Sequence, residues 1–349
     1  MNETYDAIVL GTGLKECILA GLLAKMEGKK ILQIDRNSYY GAESASLNLT
    51  NLWKNFRDGK TPDKKYGENR DWNVDLIPKF VMAGGDLLKL LFKTGVIHYL
   101  EWKIIDGTYV YQWDKGGLFS NAKGNICKVP ANAKEAVSSE LMGLFEKNRF
   151  RKFLNYVEDW RRDSPKTHNS VKPEDPFKDV IKKFGLEENT ADFIGHAVAL
   201  ETTEEFMTKP TWKIMEELKL YQNSIGRYGE SPFIYPVYGL SGLAEGFSRL
   251  CALYQGTYML NRDCDEILYD ASGKFMGIKS QGEIAYGKML IADPTYIKKI
   301  EPKKVKSVGK IVRCICILNH PIAKTKDMPS TQIIIPQKQV KRKNGIFLI

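Results

Sequence analysis

The chain has 349 residues and a net charge of +10, with 43% apolar and 27% charged residues. That profile excludes a collagenous, mucin-like or wholly disordered chain, and the length favours two domains over one core. The charge is concentrated: Thr295 to Ile349 holds 13 Lys and Arg against 2 acids, so the rest of the chain is near neutrality.

With no RNP pair, zinc finger or helix-turn-helix signature, nucleic acid is not an expected partner. No apolar run approaches the roughly 20 residues of a membrane-spanning helix. The opening MNETYDAIVL lacks the basic start of a signal peptide, so a soluble, cytoplasmic protein is expected. Six cysteines are too sparse for a disulfide scaffold, and four isolated histidines form no metal-binding grid. Cys314 and Cys316 lie on the alternating run IVRCICIL and are expected as buried strand thiols.

TYDAIVLGTGLKECILAGLLAKMEGKKILQID reads as strand, glycine turn, helix and strand, the opening of a doubly wound domain. Leu14, Ile18 and Leu22 repeat at helical spacing over 14–26, and Cys17, Leu19 or Ala20 are expected against the sheet. Residues 36–80 read as a loop-rich stretch. Short helices are expected near 84–92 and 94–100, and WKIIDGTYVYQW alternates like a hairpin before a turn at 115–125.

Residues 133–226 differ in kind. Val137, Leu141, Leu144, Phe145, Phe153, Leu154, Val157 and Trp160 mark a long helix or bent pair. A second amphipathic unit covers about 187–200, and TWKIMEELKLYQNSIGR places Trp212, Met215, Leu218 and Tyr221 on one stripe. Sheet signals then resume: strand, glycine turn and helix near 243–254, a meander with a turn at Ser272-Gly273, and Leu290–Asp293 returning to the central sheet. IVRCICILNHPI and STQIIIPQ read as further strands. KNGIFLI ends the chain on an apolar edge strand, which suggests a C-terminal truncation. The expected fold is an α/β, FAD/NAD(P)-binding-like sheet domain, discontinuous over 1–132 and 227–349, with an all-helical domain inserted at 133–226.

The turn GTGLKEC carries two glycines of a G-x-G-x-x-G fingerprint, but Glu16 stands where the third belongs and would repel a pyrophosphate. Asp35, 24 residues after Gly11, lies where a ribose-binding acid would sit. The chain thus keeps a cofactor architecture with a charge at its phosphate site, and no cofactor is expected. A nucleophile elbow and a P-loop are both absent. The adjacent pairs Glu187/Glu188 and Glu216/Glu217 diverge on their helices, so no enzyme is expected either.

The segments YDAIVLGTGLKECIL, ILQIDRNSYYG, RDWNVDLIPKF, LMGLFEKNRFRKFL, FIGHAVAL, SPFIYPVYGL, GFSRL, GTYMLN and IIIPQKQV keep their order along the whole chain. In these the chain resembles the Rab GDP-dissociation inhibitor family, whose relatives include the Rab escort proteins. The absence of a long early insertion favours the inhibitor branch. The resemblance implies a monomeric, non-catalytic carrier that binds prenylated, GDP-bound Rab GTPases, slows GDP release and extracts them by transient membrane association. A Rab escort protein, or more remotely a flavin-dependent oxidoreductase, is the alternative.

The resemblance further implies a Rab-binding platform at Tyr40, Arg70, Arg227, Arg249, Thr257 and Met259. Read without it, Tyr40 is a plausible exposed aromatic anchor, Arg249 could cap its helix and Met259 could be core. Two departures stand out: Glu68 where the family commonly has Arg, and Gly242 where it commonly has an acid. A geranylgeranyl chain, which gains about 0.8 kcal/mol per buried CH2, needs a large apolar cavity. Helical periodicity nominates Leu141, Leu144, Phe145, Phe153, Ile194, Val198, Met215 and Leu218 as its lining, or equally as a dry core.

Overall fold

The computed structural model describes residues 3–114, 123–130, 142–342 and 345–349, without the side chain of Asp114. The fold is α/β, with discontinuous sheet segments and an inserted helical subdomain. It divides into two compact units, Met1–Lys79 with Leu90–Lys103 and Tyr235–Cys316, and Phe80–Lys89 with Ile104–Ile234 and Ile317–Ile349.

The first unit is built on a four-stranded parallel sheet in the order Thr257–Met259, Ile31–Ile34, Ala7–Leu10, Leu290–Ala292. Every residue of Ala7–Leu10 and Ile31–Ile34 is buried, which explains why both are apolar apart from Gln33, whose Nε2 donates to Gly11 O at 2.7 Å. Ile8, Leu10, Leu32 and Ile34 pack in a core shared with Ile267, Ile278 and Ala285, residues of a second sheet. That sheet runs Thr4–Tyr5, Glu283–Gly287, Phe275–Ser280, Glu266–Tyr269, with antiparallel pairing from Glu283–Gly287 onward. Ala7, Val9 and Ile31 pack on the opposite side with Ala20 and Ala24 of helix Leu14–Glu27.

The buried face of that helix is Glu16, Cys17, Ala20, Gly21 and Ala24. The expected stripe of Leu14, Ile18 and Leu22 is only half-buried, and Leu19 is exposed. The helix is covered on a second side by helix Ser241–Leu253, and small residues permit that approach. A Cβ on Gly21 would stand 3.2 Å from the Phe247 carbonyl oxygen and 3.3 Å from its ring. The Cys17 Sγ and Ser248 Oγ lie 3.3 Å apart across the same contact.

Residues 36–80 are more ordered than their composition suggests. Asn48 caps helix Leu49–Phe56 by accepting from Asn51 N at 2.9 Å. Ala45, Leu47, Leu49 and Leu52 form a small core flanked by Tyr39, Trp53, Tyr66 and Trp72.

In the second unit, Gly107–Asp114 pairs antiparallel with Lys123–Lys128 and parallel with Thr331–Ile335, which pairs antiparallel with Ile346–Leu348. The hairpin partner of Gly107–Asp114 is therefore Lys123–Lys128, and most of the expected turn at 115–125 lies outside the described residues. STQIIIPQ and GIFLI form strands as expected, but they share a compact unit with the helices, as does Gly107–Asp114. The expected domain limits at 133 and 226 do not coincide with this division, because strand pairing recruits both flanks of the helical segment.

Helices Leu144–Asp159, Lys178–Phe184, Glu188–Phe193 and Thr211–Ser224 belong to the same unit. Val137 and Leu141 lie outside the described residues. Ile194–Val198 continues as a π-helix. A Cβ on Gly195 would fall inside the Phe206 ring, so the π turn closes directly on that aromatic.

One expected strand does not form. Residues 305–318 have no regular structure, and Val308 and Val312 are 95% and 96% exposed. The alternating pattern of IVRCICIL finds no neighbouring edge to pair with among the described residues. Cys314 and Cys316 are consequently exposed, with their Sγ atoms 3.5 Å apart, instead of buried in a sheet.

Two stability predictions follow from this packing. Gly21→Val should destabilise the first unit by about 1–3 kcal/mol, read as a lower denaturant midpoint, because the helix contact has no space for the side chain. In the second unit, burial and the neighbouring Glu201 carboxylate push Glu217 from 4.5 to about 7. Glu217 is protonated in both states at low pH, and the folded state loses stability as pH rises through 4.5 toward 7. Glu217→Gln should therefore be nearly neutral at about pH 4 and stabilising at about pH 8, compared by denaturant melts.

Candidate functional site

The glycine turn offers the first test of chemistry. Glu16 is buried at 5% exposure, and burial raises its carboxyl above the usual carboxylate range. Its Oε2 fills the position that a Cβ on Gly13 would take, over the turn where a dinucleotide phosphate would otherwise approach. Asp35, in the ribose-acid position, is fully engaged within the chain. Its Oδ2 accepts from Thr12 N and Thr12 Oγ1, both at 2.6 Å, and its Oδ1 accepts from Asn37 N at 2.7 Å. These residues do not fit a flavin or nicotinamide dinucleotide.

The six expected surface residues divide between the units: Tyr40, Arg70, Arg249, Thr257 and Met259 lie in the first and Arg227 in the second. Within the first, Thr257 and Met259 stand on the edge strand of the parallel sheet, both half-buried. Between them, the Tyr258 ring lies 6.0 Å from that of Tyr40. Tyr40 is itself half-buried, which pushes its phenol up, and the next residue is anchored by Gly41 N donating to Thr12 O at 3.0 Å. Met259 combines both readings, since it packs on the core while its carbonyl accepts from Asp35 N at 2.9 Å.

Arg70 occupies a 3-10 turn, Asn69–Asp71, with its side chain 87% exposed. It borders an open recess of about 560 Å3 lined also by Asn48, Glu68, Asn69, Trp72 and Asn73. The turn is held because Asn69 Oδ1 accepts from Thr50 N and Trp72 Nε1 donates to Tyr66 O. Glu68 therefore shares a recess with Arg70.

Arg249 does not cap its helix, which continues to Leu253. Its guanidinium lies 4.6 Å from the Tyr99 ring centroid, a cation–π contact that pre-positions an exposed charge. Gly242 sits in the first turn of the same helix, with Leu100 Cδ2 3.2 Å from where a Cβ would stand. Arg227 is exposed after helix Thr211–Ser224. Sequence reasoning missed Tyr99 and the Leu49–Phe56 cap, although Asn48 followed by Leu49, Leu52, Trp53 and Phe56 was a usable signal.

Of the eight expected lipid-lining residues, Phe153, Ile194, Val198, Met215 and Leu218 are buried in the second unit. They belong to a core rich in aromatics: Phe150 packs on Phe153 and Phe193, and Phe153 on Phe177 and Phe184. Leu141 lies outside the described residues. Leu144 and Phe145 are exposed, a correction to the periodicity argument. The helix begins at Leu144, and its buried face runs through Glu146, Phe150, Phe153 and Val157, which turns the first two residues outward. A cleft of about 200 Å3 in this unit is lined by residues 104–108, Lys128, Val129, Tyr221 and 230–232, none of them among the eight.

Beside this core lies an ionic cluster that runs from the buried Asp192 and His196 out to the exposed Lys338 and Glu188. Lys338 Nζ contacts Glu188, Asp192 and Glu204 at 3.1, 3.3 and 3.0 Å, and His196 Nε2 lies 3.1 Å from Glu204. Asp192, His196 and Glu204 could converge on a metal, but the Lys338 ammonium already supplies the positive charge there.

The family model described as GDP dissociation inhibitor matches residues 1–349. The chain is 51% identical over 349 residues to the probable secretory pathway GDP dissociation inhibitor 1 of Schizosaccharomyces pombe, covering all of this chain and 76% of that protein. It is 50% identical over 350 residues to the Rab GDP dissociation inhibitor beta of Rattus norvegicus, covering 75% of it. The crystal structure of a Rab GDI from Plasmodium falciparum superimposes with a TM-score of 0.91 at 49% identity, over 99% of this chain and 78% of that one. An oxidoreductase from Methanosarcina mazei shares the fold at a TM-score of 0.51 and 13% identity, over 86% of this chain and 62% of that one.

Proposed function

The chain belongs to the GDP dissociation inhibitor family, and from that premise we propose that it carries prenylated, GDP-bound Rab GTPases. It is not an enzyme. In this reading it binds the lipidated GTPase one to one as a monomer, slows GDP release, withdraws it from membranes and returns it during vesicle trafficking. The single observation that carries the reading is the family match along all 349 residues. The turn at Gly11–Gly13, filled by Glu16 and tied by Asp35, supports a binding role for a fold that relatives at low identity use in oxidoreductases. No helix among the described residues is long and apolar enough to cross a membrane. Cytoplasmic residence with transient membrane contact is part of the proposal.

Tyr40, Arg70, Arg249, Thr257 and Met259, with Arg227, are the residues we assign to GTPase recognition. Arg70 and Arg249 are the informative pair, because both are exposed and neither supports a core. Arg70→Ala with Arg249→Ala should weaken binding of prenylated, GDP-loaded Rab about tenfold or more, about 1.4 kcal/mol or above. Unfolding free energy should stay within about 0.5 kcal/mol of the parent chain. Unchanged affinity in titration calorimetry would remove these residues from the surface, and preference for unprenylated Rab would point to escort activity instead.

The prenyl chain is assigned to the helical part of the second unit. Phe153, Ile194, Val198, Met215 and Leu218 provide apolar surface on three helical elements, and the lipid would enter by parting them. A photoreactive geranylgeranyl analogue on Rab should label peptides from at least two of these elements. Labels confined to the first unit would overturn the assignment.

A further inference from the structure

We propose that the first turns of helix Leu144–Asp159 form a bilayer-contact surface. Leu144 and Phe145 enter the boundary between headgroups and acyl chains, while Arg151 and Lys152 meet anionic lipid headgroups. This deepens the reading above and rests on it, since it supplies the face with which a lipid carrier meets the membrane. Leu144 and Phe145 are 81% and 82% exposed, the two most exposed large apolar side chains of any helix among the described residues.

The face behind them is basic. Asn148, Arg151, Lys152 and Asn155 follow Leu144 at four, seven, eight and eleven residues, all exposed and all on one side of the helix. The only acid in these turns, Glu146, is turned inward, where it accepts from Arg149 Nε at 2.7 Å and from Glu187 N at 2.8 Å. Arg149 is occupied by that pair and by Glu187. Among the described residues neither Arg151 nor Lys152 makes an ion pair.

The dimensions suit a lipid surface. Arg151 lies six residues beyond Phe145, about 9 Å along the axis, and helical side chains lean toward the N-terminus. With the tip about 5–10 Å below the headgroup plane, both bases can reach that plane. Here the next exposed positions are amide and cationic, which matches the steep change from hydrocarbon to charge across a headgroup layer.

The test is sedimentation of the full chain with vesicles of phosphatidylcholine, alone or mixed with phosphatidylserine. Binding to the mixed vesicles should exceed binding to phosphatidylcholine alone and fall as salt is raised. Leu144→Ser with Phe145→Ser, and separately Arg151→Glu with Lys152→Glu, should each reduce it about tenfold or more. Complex formation with detergent-solubilised prenylated Rab, measured in parallel, should be retained in the serine pair. A parent chain that sediments with neither vesicle, equal binding with and without phosphatidylserine, or a serine pair that binds like the parent would each overturn the proposal. A parent chain that binds mixed vesicles but no Rab would overturn the carrier reading and leave the lipid surface standing.

Discussion

Asp35 holds the first unit together at the point where the residues proposed for recognition begin. Its carboxylate closes the glycine turn through Thr12 and starts the following loop through Asn37. Its backbone joins the edge strand, donating to the Met259 carbonyl and accepting from Arg262 N at 2.7 Å. Met259 and the loop that leads to Tyr40 are therefore tied to one buried acid, 0% exposed. A polar group at such a site is tolerated because its oxygens accept several donors, which replace the water it has lost. The residue that a nucleotide-binding relative could turn toward a ribose is here turned toward the chain itself.

The second unit solves a different problem. Its core is aromatic, yet the buried Asp192 and the half-buried Glu204 lie beside it and meet the exposed ammonium of Lys338. Lys338 joins the segment after strand Thr331–Ile335 to Glu188, Asp192 and Glu204 around the π-helix. Of these residues Asp192 is buried, so removing the Lys338 ammonium would chiefly leave that carboxylate uncompensated. The π-helix they surround carries Ile194 and Val198, so an electrostatic cluster fixes the pose of apolar side chains.

The sequence was most legible where a period and a turn signal agreed. Strand Ala7–Leu10, its glycine turn, helix Leu14–Glu27 and strand Ile31–Ile34 were readable, as were the meander from Glu266 to Gly287 and the amphipathic helix at Thr211–Ser224. Periodicity failed where a helix has more than one covered side. In Leu14–Glu27 the small residues Ala20, Gly21 and Ala24 lie inward while larger leucines lie at the margin. It failed again at Leu144 and Phe145, because the pattern alone does not show where a helix starts or that Glu146 can be buried against Arg149. IVRCICIL failed for a third reason: alternation describes what a strand could bury, and pairing requires an edge that a local pattern does not encode. The surface residues came from resemblance alone, since isolated Arg and Tyr side chains carry no period.

Glu16 also changes how the stability of the fold is set. A protein that binds a dinucleotide draws part of its folding free energy from ligand occupancy, and its stability rises with the logarithm of nucleotide concentration. In this chain a covalently attached carboxylate fills that space, so mass action has nothing to act upon there. The folded fraction of the first unit is decoupled from flavin and nicotinamide supply at this turn, and a newly made chain requires no loading step there before the unit is complete.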